Sequence, residues 1–268
     1  MGTLLEQITA GYGFSGRYVG SQTDKFRDVV GVAVDDAGRI LLGHKLGISV
    51  FDPKGTFMRI VSSTDPSAFF IEGPNRIVSV RRDQFVPEGA PGTPIGVPVP
   101  GKLPREVEEI PAVVTLTNGD RIVVDRQGKG VIRVSPLGKF LGNFAANFNG
   151  GRIARNTLDD VAMIDRDGRG IVIADRDGRV TSRIAQKGTG YAFENPLDVG
   201  FDPLGHLYVL DSKQAIFVFG PRNRLIATFS SVGSRDAGAL QRPKAFAVDA
   251  AGRAYVFDEA AQRIQVYQ

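Results

Sequence analysis

The chain has no cysteine and no tryptophan, and only two histidines in 268 residues. Without cysteine there are no disulfides, zinc–thiolate sites or cysteine nucleophiles. His44 and His206 alone cannot build a three-histidine zinc centre. Lack of tryptophan removes the largest stacking surface an RNA binder could offer. No apolar run approaches the roughly 18–20 residues that cross a bilayer as a helix. Neither sign of charge dominates: 33 basic and 29 acidic residues leave +4, far from the dense basic stripe of a dedicated nucleic-acid binder. The G-x-S-x-G nucleophile elbow and the phosphate-binding G-x-x-x-x-G-K-[ST] loop are both missing. Residues 1–6 have no basic region leading into an apolar stretch, so they do not read as a signal peptide. The expectation is a cytoplasmic protein, or a mature chain or excised domain of a bacterial cell-envelope protein.

What is present is glycine, 33 residues of it, and many short apolar runs within a composition that is 42% hydrophobic. That pairing points to an all-β chain with many tight turns. One phrase recurs: apolar strand, turn with glycine, second apolar strand. It appears at Val30–Leu42, Phe69–Val80, Ala112–Val124, Val161–Arg169, Asp198–His206 and Ala245–Arg253. The turn residues 38, 75, 119, 168, 205 and 252 are 37 to 49 residues apart, close to the about 40–50 of a four-stranded propeller blade. A strand–turn–strand phrase follows at Ile48–Val61, Val131–Phe144 and Ile216–Phe229. Six units of four antiparallel strands are expected, in a single domain over 1–268.

The last unit stops after its third strand, at Arg263–Gln268, whereas Gly2–Thr9 reads like the fourth-strand phrase Gly55–Ser62. Residues 3–9 are therefore expected to complete the last blade, about 5 Å from 263–267. Such closure removes two open sheet edges. Blade two is the exception. Prolines at 87, 91, 94, 98, 100 and 104 cannot donate to a sheet ladder, so 87–109 is expected to be an irregular outer strand and long loop.

The repeated phrase resembles the NHL repeat, best at Pro196–Ser212 and next at Pro243–Tyr267. The resemblance covers the whole chain, departing in blades two and four. It implies a six-bladed β-propeller. Similar propellers bind proteins, peptides or RNA, and some relatives of the same architecture are metal-dependent lyases or lactonases.

In such a ring the inter-blade loops and the loops between second and third strands open on one face. The candidate ligand-binding residues there are Arg27, His44, Arg81, Asp160, Asp198 and Lys244. Asp160, Asp198 and Lys244 are expected at the mouth of the central channel. Aspartates 125, 175, 211 and 258 recur at one repeat position, so a turn or ion-pair role suits them. The histidines belong to loops on opposite faces and read as ordinary exposed side chains. The leading expectation is a non-catalytic, monomeric module that binds a protein or peptide, with no catalytic residue and no cofactor. One alternative is a calcium-dependent hydrolase or lyase of the lactonase-like type, holding calcium on Asp160, Asn195 and Asp198, with Asn156 nearby, because hard cations take carboxylate and amide oxygens. The other is an RNA-binding propeller, although the interleaved acids weaken phosphate attraction.

Overall fold

The second strand of each repeat is apolar at most positions, so it needs cover on both faces. Ile40–His44, Leu207–Asp211 and Ala254–Asp258 are buried along their whole length. A computed structural model shows where that cover comes from. It describes residues 4–9, 26–61, 65–73, 75–99, 104–107, 109–145, 150–165, 170–184, 193–234 and 238–268.

The fold is an all-β six-bladed propeller, each blade a four-stranded antiparallel sheet. Blade one holds Gly31–Val34, Ile40–His44, Gly47–Phe51 and Phe57–Val61. Blade two holds Ala68–Glu72, Arg76–Arg81, Gln84–Pro87 and Thr93–Pro94. Blade three is Val113–Thr115, Arg121–Asp125, Gly130–Val134 and Phe140–Phe144. Blade four is Gly150–Arg155, Val161–Asp165, Gly170–Ala174 and Val180–Ile184. Blade five is Pro196–Phe201, Leu207–Asp211, Ile216–Phe219 and Leu225–Phe229. Blade six is Pro243–Val248, Ala254–Asp258 and Arg263–Tyr267, with Leu4–Thr9 paired outside the last in antiparallel register, Thr9 opposite Arg263. The first strands of all six blades line a central cavity of about 320 Å³.

The core is a ring of six apolar clusters, each between two neighbouring blades. Strand alternation divides each second strand between two of them. Ile40 and Leu42 pack toward blade six with Tyr255 and Phe257, while Leu41 packs toward blade two with Ile77.

The hairpin between first and second strands explains the D-x-x-G-R/H phrase. Asp35 accepts the Ala37 and Arg39 backbone N–H groups and the Arg39 Nε, at 3.0, 2.8 and 2.6 Å. Asp249 does the same with Ala251 and Arg253, and Asp202 with His206, through both its N–H and Nδ1. Glycine supplies the left-handed turn residue, as at Gly38 with φ 74°.

Blade four departs from the sequence reading by one strand. Val161–Asp165 is its second strand, not its first. The first hairpin is residues 156–160, where Asn156 takes the place of the capping aspartate and accepts the Leu158 and Asp160 N–H groups. Asp159, at φ 68°, takes the place of glycine. The glycine-bearing residues 166–169, read as that hairpin, lie outside the described residues and connect the second strand to the third. Likewise Asp175–Arg179 is the turn from third to fourth strand, so Asp175 is not one of the recurrent strand-end aspartates. Asp165 holds that position instead.

In blade two, Thr93–Pro94 is a two-residue outer strand, followed by a ribbon pairing Gly96–Val97 with Arg105–Glu106. Ile95, Val107 and Ile110 are buried between blades two and three. Arg105 forms an ion pair with Asp125 and reaches Gln127 at 2.9 Å. The described part of the segment is thereby tied into the body of the ring.

Candidate functional site: the mouth of the central channel

Near the start of the first strands, one position per blade faces its neighbours around the axis. Blades one, two, three and six have Gly31, Ala68, Ala112 and Ala245 there, set opposite Gly43, Val80, Val124 and Phe257 of the second strands. Blade five has Asp198, opposite Leu210. In blade four the register shifts between Gly150 and Ile153, which puts Arg152 at this level. Adjacent blades thus contribute one anion and one cation to a ring otherwise made of small residues.

The same register shift occurs in blade five at Pro196/Asp198 and in blade six at Pro243/Ala245. Bulges of this kind re-aim side chains near sheet ends. The residues they contain, Gly151 and Arg152, Leu197, and Lys244, all line a cavity of about 460 Å³ at the mouth, together with Pro111, Arg126, Asp165 and Asn195.

Arg152 crosses the channel. Its Nη1 donates to the Pro111 carbonyl of blade three at 2.7 Å, and its Nη2 to the Val30 carbonyl of blade one. Asp198 is buried. Its two oxygens accept the Val199 N–H at 3.0 Å and the Phe246 N–H at 3.2 Å. Burial pushes its carboxyl up to about 6, against the opposing pull of Arg152 and the two N–H groups. Lys244 is exposed and has no ion-pair partner among the described residues. Arg126 has only a 3.9 Å pair with exposed Glu109, a contact worth little at a surface. Asp165 pairs with Arg183 at 3.6 Å.

Behind the mouth, the strand-end aspartates hold loops. Asp211 accepts the N–H groups of Glu194, Asn195 and Lys213 at 2.8, 2.9 and 2.8 Å. Asp258 does the same for Gln241, Arg242 and Ala260. Each joins the incoming inter-blade loop to the loop after its own strand, and so places Asn195 and Lys244. Asp125 accepts the Gly128 N–H and pairs with Arg105.

His44 occupies this same position in blade one and is buried, contrary to the exposed histidine expected. Its Nδ1 accepts the Leu46 N–H at 3.3 Å, so Nε2 carries the proton that meets Ser49 Oγ at 2.8 Å. Phe26 packs edge-on to the ring at 5.0 Å. Burial lowers its pKa to about 4. It holds the loop through the Leu46 N–H, as the aspartates hold theirs. Arg81 is the blade-two equivalent; with Asp65 and Arg82 it lines a separate cavity of about 440 Å³. Arg27 is exposed, its carbonyl accepting the Lys45 N–H at 3.3 Å. Neither Arg27 nor Arg81 lines the mouth.

Asp160 is not at the mouth. It closes the first hairpin of blade four, at the opposite end of the inner strand, where it accepts Asn156 Nδ2 at 2.9 Å. The calcium set is therefore divided, with Asn156 and Asp160 at one end of the channel and Asn195 and Asp198 at the other. At the mouth, Asn195 donates to Ser212 at 2.5 Å and both Asp198 oxygens are engaged by backbone N–H groups. A guanidinium stands beside them. No three His, Asp or Glu side chains converge among the described residues. This donor set does not fit a hard cation.

No family model matches the chain, and no curated protein sequence matches it. Solved structures do. A gluconolactonase from Xanthomonas campestris superposes with a TM-score of 0.70 at 13% identity, over 99% of this chain and 98% of that one. A streptogramin B lyase gives 0.64 at 10%, over 98% and 96%. An auxiliary nutrient binding protein from Bacteroides thetaiotaomicron gives 0.66 at 11%, over 100% and 77%. The likeness shows the fold. At such identity it carries no side chain of those sites into this one, and Arg152 and Lys244 must be read on their own chemistry.

The structure brings Asn195 and Lys244 to one end of the channel, with Asp198 inside it, and adds Arg152, which the sequence reading does not single out. The signal for Arg152 was the Gly150–Gly151 pair before it, which marks a bulge or close approach in a strand. The one-strand offset in blade four hid it.

Proposed function

We propose that this propeller is a non-catalytic interaction module of the NHL-like kind, holding a protein partner by a peptide segment at the channel mouth. The observation that carries the reading is the mouth cavity, where bulges in three successive blades present Arg152, Leu197 and Lys244. A lining that mixes Pro111, Ile164 and Leu197 with Arg126, Arg152 and Lys244 suits a peptide side chain or chain end. Affinity capture with the wild-type chain and with a variant carrying Arg126→Glu and Lys244→Glu tests this. A partner that is retained equally by both would count against the mouth as the site.

A second reading, which the solved structures favour over the first, is a hydrolase or lyase using the same mouth. In its favour are the folds of the gluconolactonase and the lyase, and a carboxyl that burial pushes up to about 6 beside an arginine. Turnover of a lactone panel with and without added calcium decides it: activity lost in Asp198→Asn would support the enzyme, and no turnover above background would remove it.

A further inference from the structure

We propose that the channel mouth is an anion site, with Arg152 as a fixed resident cation, that takes a carboxylate or phosphate group. The proposal rests on the mouth being the binding site and names the chemistry it selects.

Arg152 is held in place by two backbone carbonyls from different blades. A guanidinium has more N–H donors than those two contacts use, and no further described residue accepts from it. The guanidinium is thus positioned before any ligand arrives, which lowers the ordering cost of binding. It lines the mouth cavity itself. Lys244 and Arg126 stand on the rim of that cavity, one without an ion pair and the other with only a long exposed one.

The two carboxylates nearby are each engaged by other groups. Asp165, which also lines the cavity, pairs with Arg183 on the outer strand of the same blade. Asp198 lines the channel cavity rather than the mouth cavity, and its oxygens face backbone N–H groups. Where a metal would need oxygens, this cavity is lined by the N–H donors of Arg152, Arg126 and Lys244. Such donors recognise carboxylate and phosphate oxygens through charge-assisted hydrogen bonds.

The test is calorimetric titration of the full chain at fixed ionic strength with citrate, inorganic phosphate and an acetylated tetraglutamate peptide, with glycerol as the uncharged control. At least one anion should bind saturably, and Lys244→Met and Arg126→Met should each weaken it about tenfold. Both substitutions fall on exposed side chains, so unchanged thermal unfolding verifies the fold. Citrate or phosphate binding identifies a free small anion, and binding of the peptide alone identifies a protein carboxylate. Heats no larger than those of matched sodium chloride for all three probes would overturn the proposal, as would saturable binding unaffected by both substitutions. If partner capture persists and is still lost in the Arg126→Glu, Lys244→Glu variant while the probes fail, the anion site falls and the interaction reading stands. Loss of both removes both.

Discussion

The Arg152 guanidinium of blade four donates to the Val30 carbonyl of blade one, across the channel. Residues 122 apart in sequence are joined through one side chain. Beside it, the Asp198 carboxyl feels the guanidinium's charge, which works against the effect of burial. Removing the guanidinium takes that opposing charge away from the buried Asp198 and leaves the Pro111 and Val30 carbonyls without their donor. Arg152→Met is expected to lower stability by about 3 kcal/mol in urea unfolding. Combined with Asp198→Asn, the cost should shrink by about 1–2 kcal/mol. Strictly additive costs would mean that the two groups do not interact.

Asp198 also makes a pH prediction. Its pKa rises from 3.8 to about 6 on folding. Over that window the folded chain keeps a proton the unfolded chain has released. Its contribution to stability is therefore present below about pH 4 and lost as pH rises through about 6. At about 1.4 kcal/mol per pH unit, the loss is about 3 kcal/mol. The stability of Asp198→Asn relative to wild type should rise by that amount between about pH 4 and 7, then level off. A difference that stays flat across the range would show that the carboxyl titrates normally.

His44 has the opposite sign. Its pKa falls from 6.5 to about 4 because burial disfavours the charged ring. The unfolded chain takes up a proton near 6.5 and the folded chain does not, so this contribution to stability is lost as pH falls from about 6.5 to about 4. In NMR titration the His44 ring signals should hold steady from pH 8 to about 5.5. A midpoint near 6.5 would place the ring in solvent and undo its role as loop anchor.

Blade number, sheet type and most hairpins could be read from the sequence because a propeller repeats its local chemistry. An aspartate that caps a turn, a glycine at positive φ and a doubly buried strand each leave a residue-level mark. Legibility failed where the same geometry was built from other residues. Asn156 caps and Asp159 bends the blade-four hairpin without glycine, while a glycine-bearing segment one strand later offered the familiar pattern. The whole blade was then read one strand out of place, and Asp160 was put at the wrong end of the channel. His44 was hidden differently, since nothing in its own type says that it replaces an aspartate. The bulges that aim Arg152 and Lys244 are a matter of register, which one sequence specifies weakly.

The strand-end aspartates should be costly to remove although they touch no ligand. Asp211 accepts three backbone N–H groups from two loops. Asp211→Ala leaves them without a protein acceptor, and a loss of about 3 kcal/mol in chemical unfolding is expected. Asn195, whose N–H is one of the three, should shift with the loop, so probe binding at the mouth should weaken as well. A variant of unchanged stability would show that water satisfies these groups equally well.

Asp159 offers a test that separates backbone strain from side-chain bonding. At φ 68° it holds a conformation that costs a residue with a Cβ about 1 kcal/mol or more. Its carboxylate repays this by accepting the Thr117 N–H at 3.0 Å, the Thr117 Oγ1 at 2.5 Å and Arg155 Nη1 at 2.9 Å. Although burial works to raise its pKa, those donors outweigh it and hold the carboxyl below the ordinary value. Asp159→Gly loses the bonds and relieves the strain, whereas Asp159→Ala loses the bonds and keeps it. Both should destabilise, with alanine worse than glycine by about 1 kcal/mol in thermal or urea unfolding. Equal losses would mean that the turn relaxes to negative φ once the carboxylate is gone. A more stable glycine variant would mean that the bond to blade three is worth less than the strain it offsets.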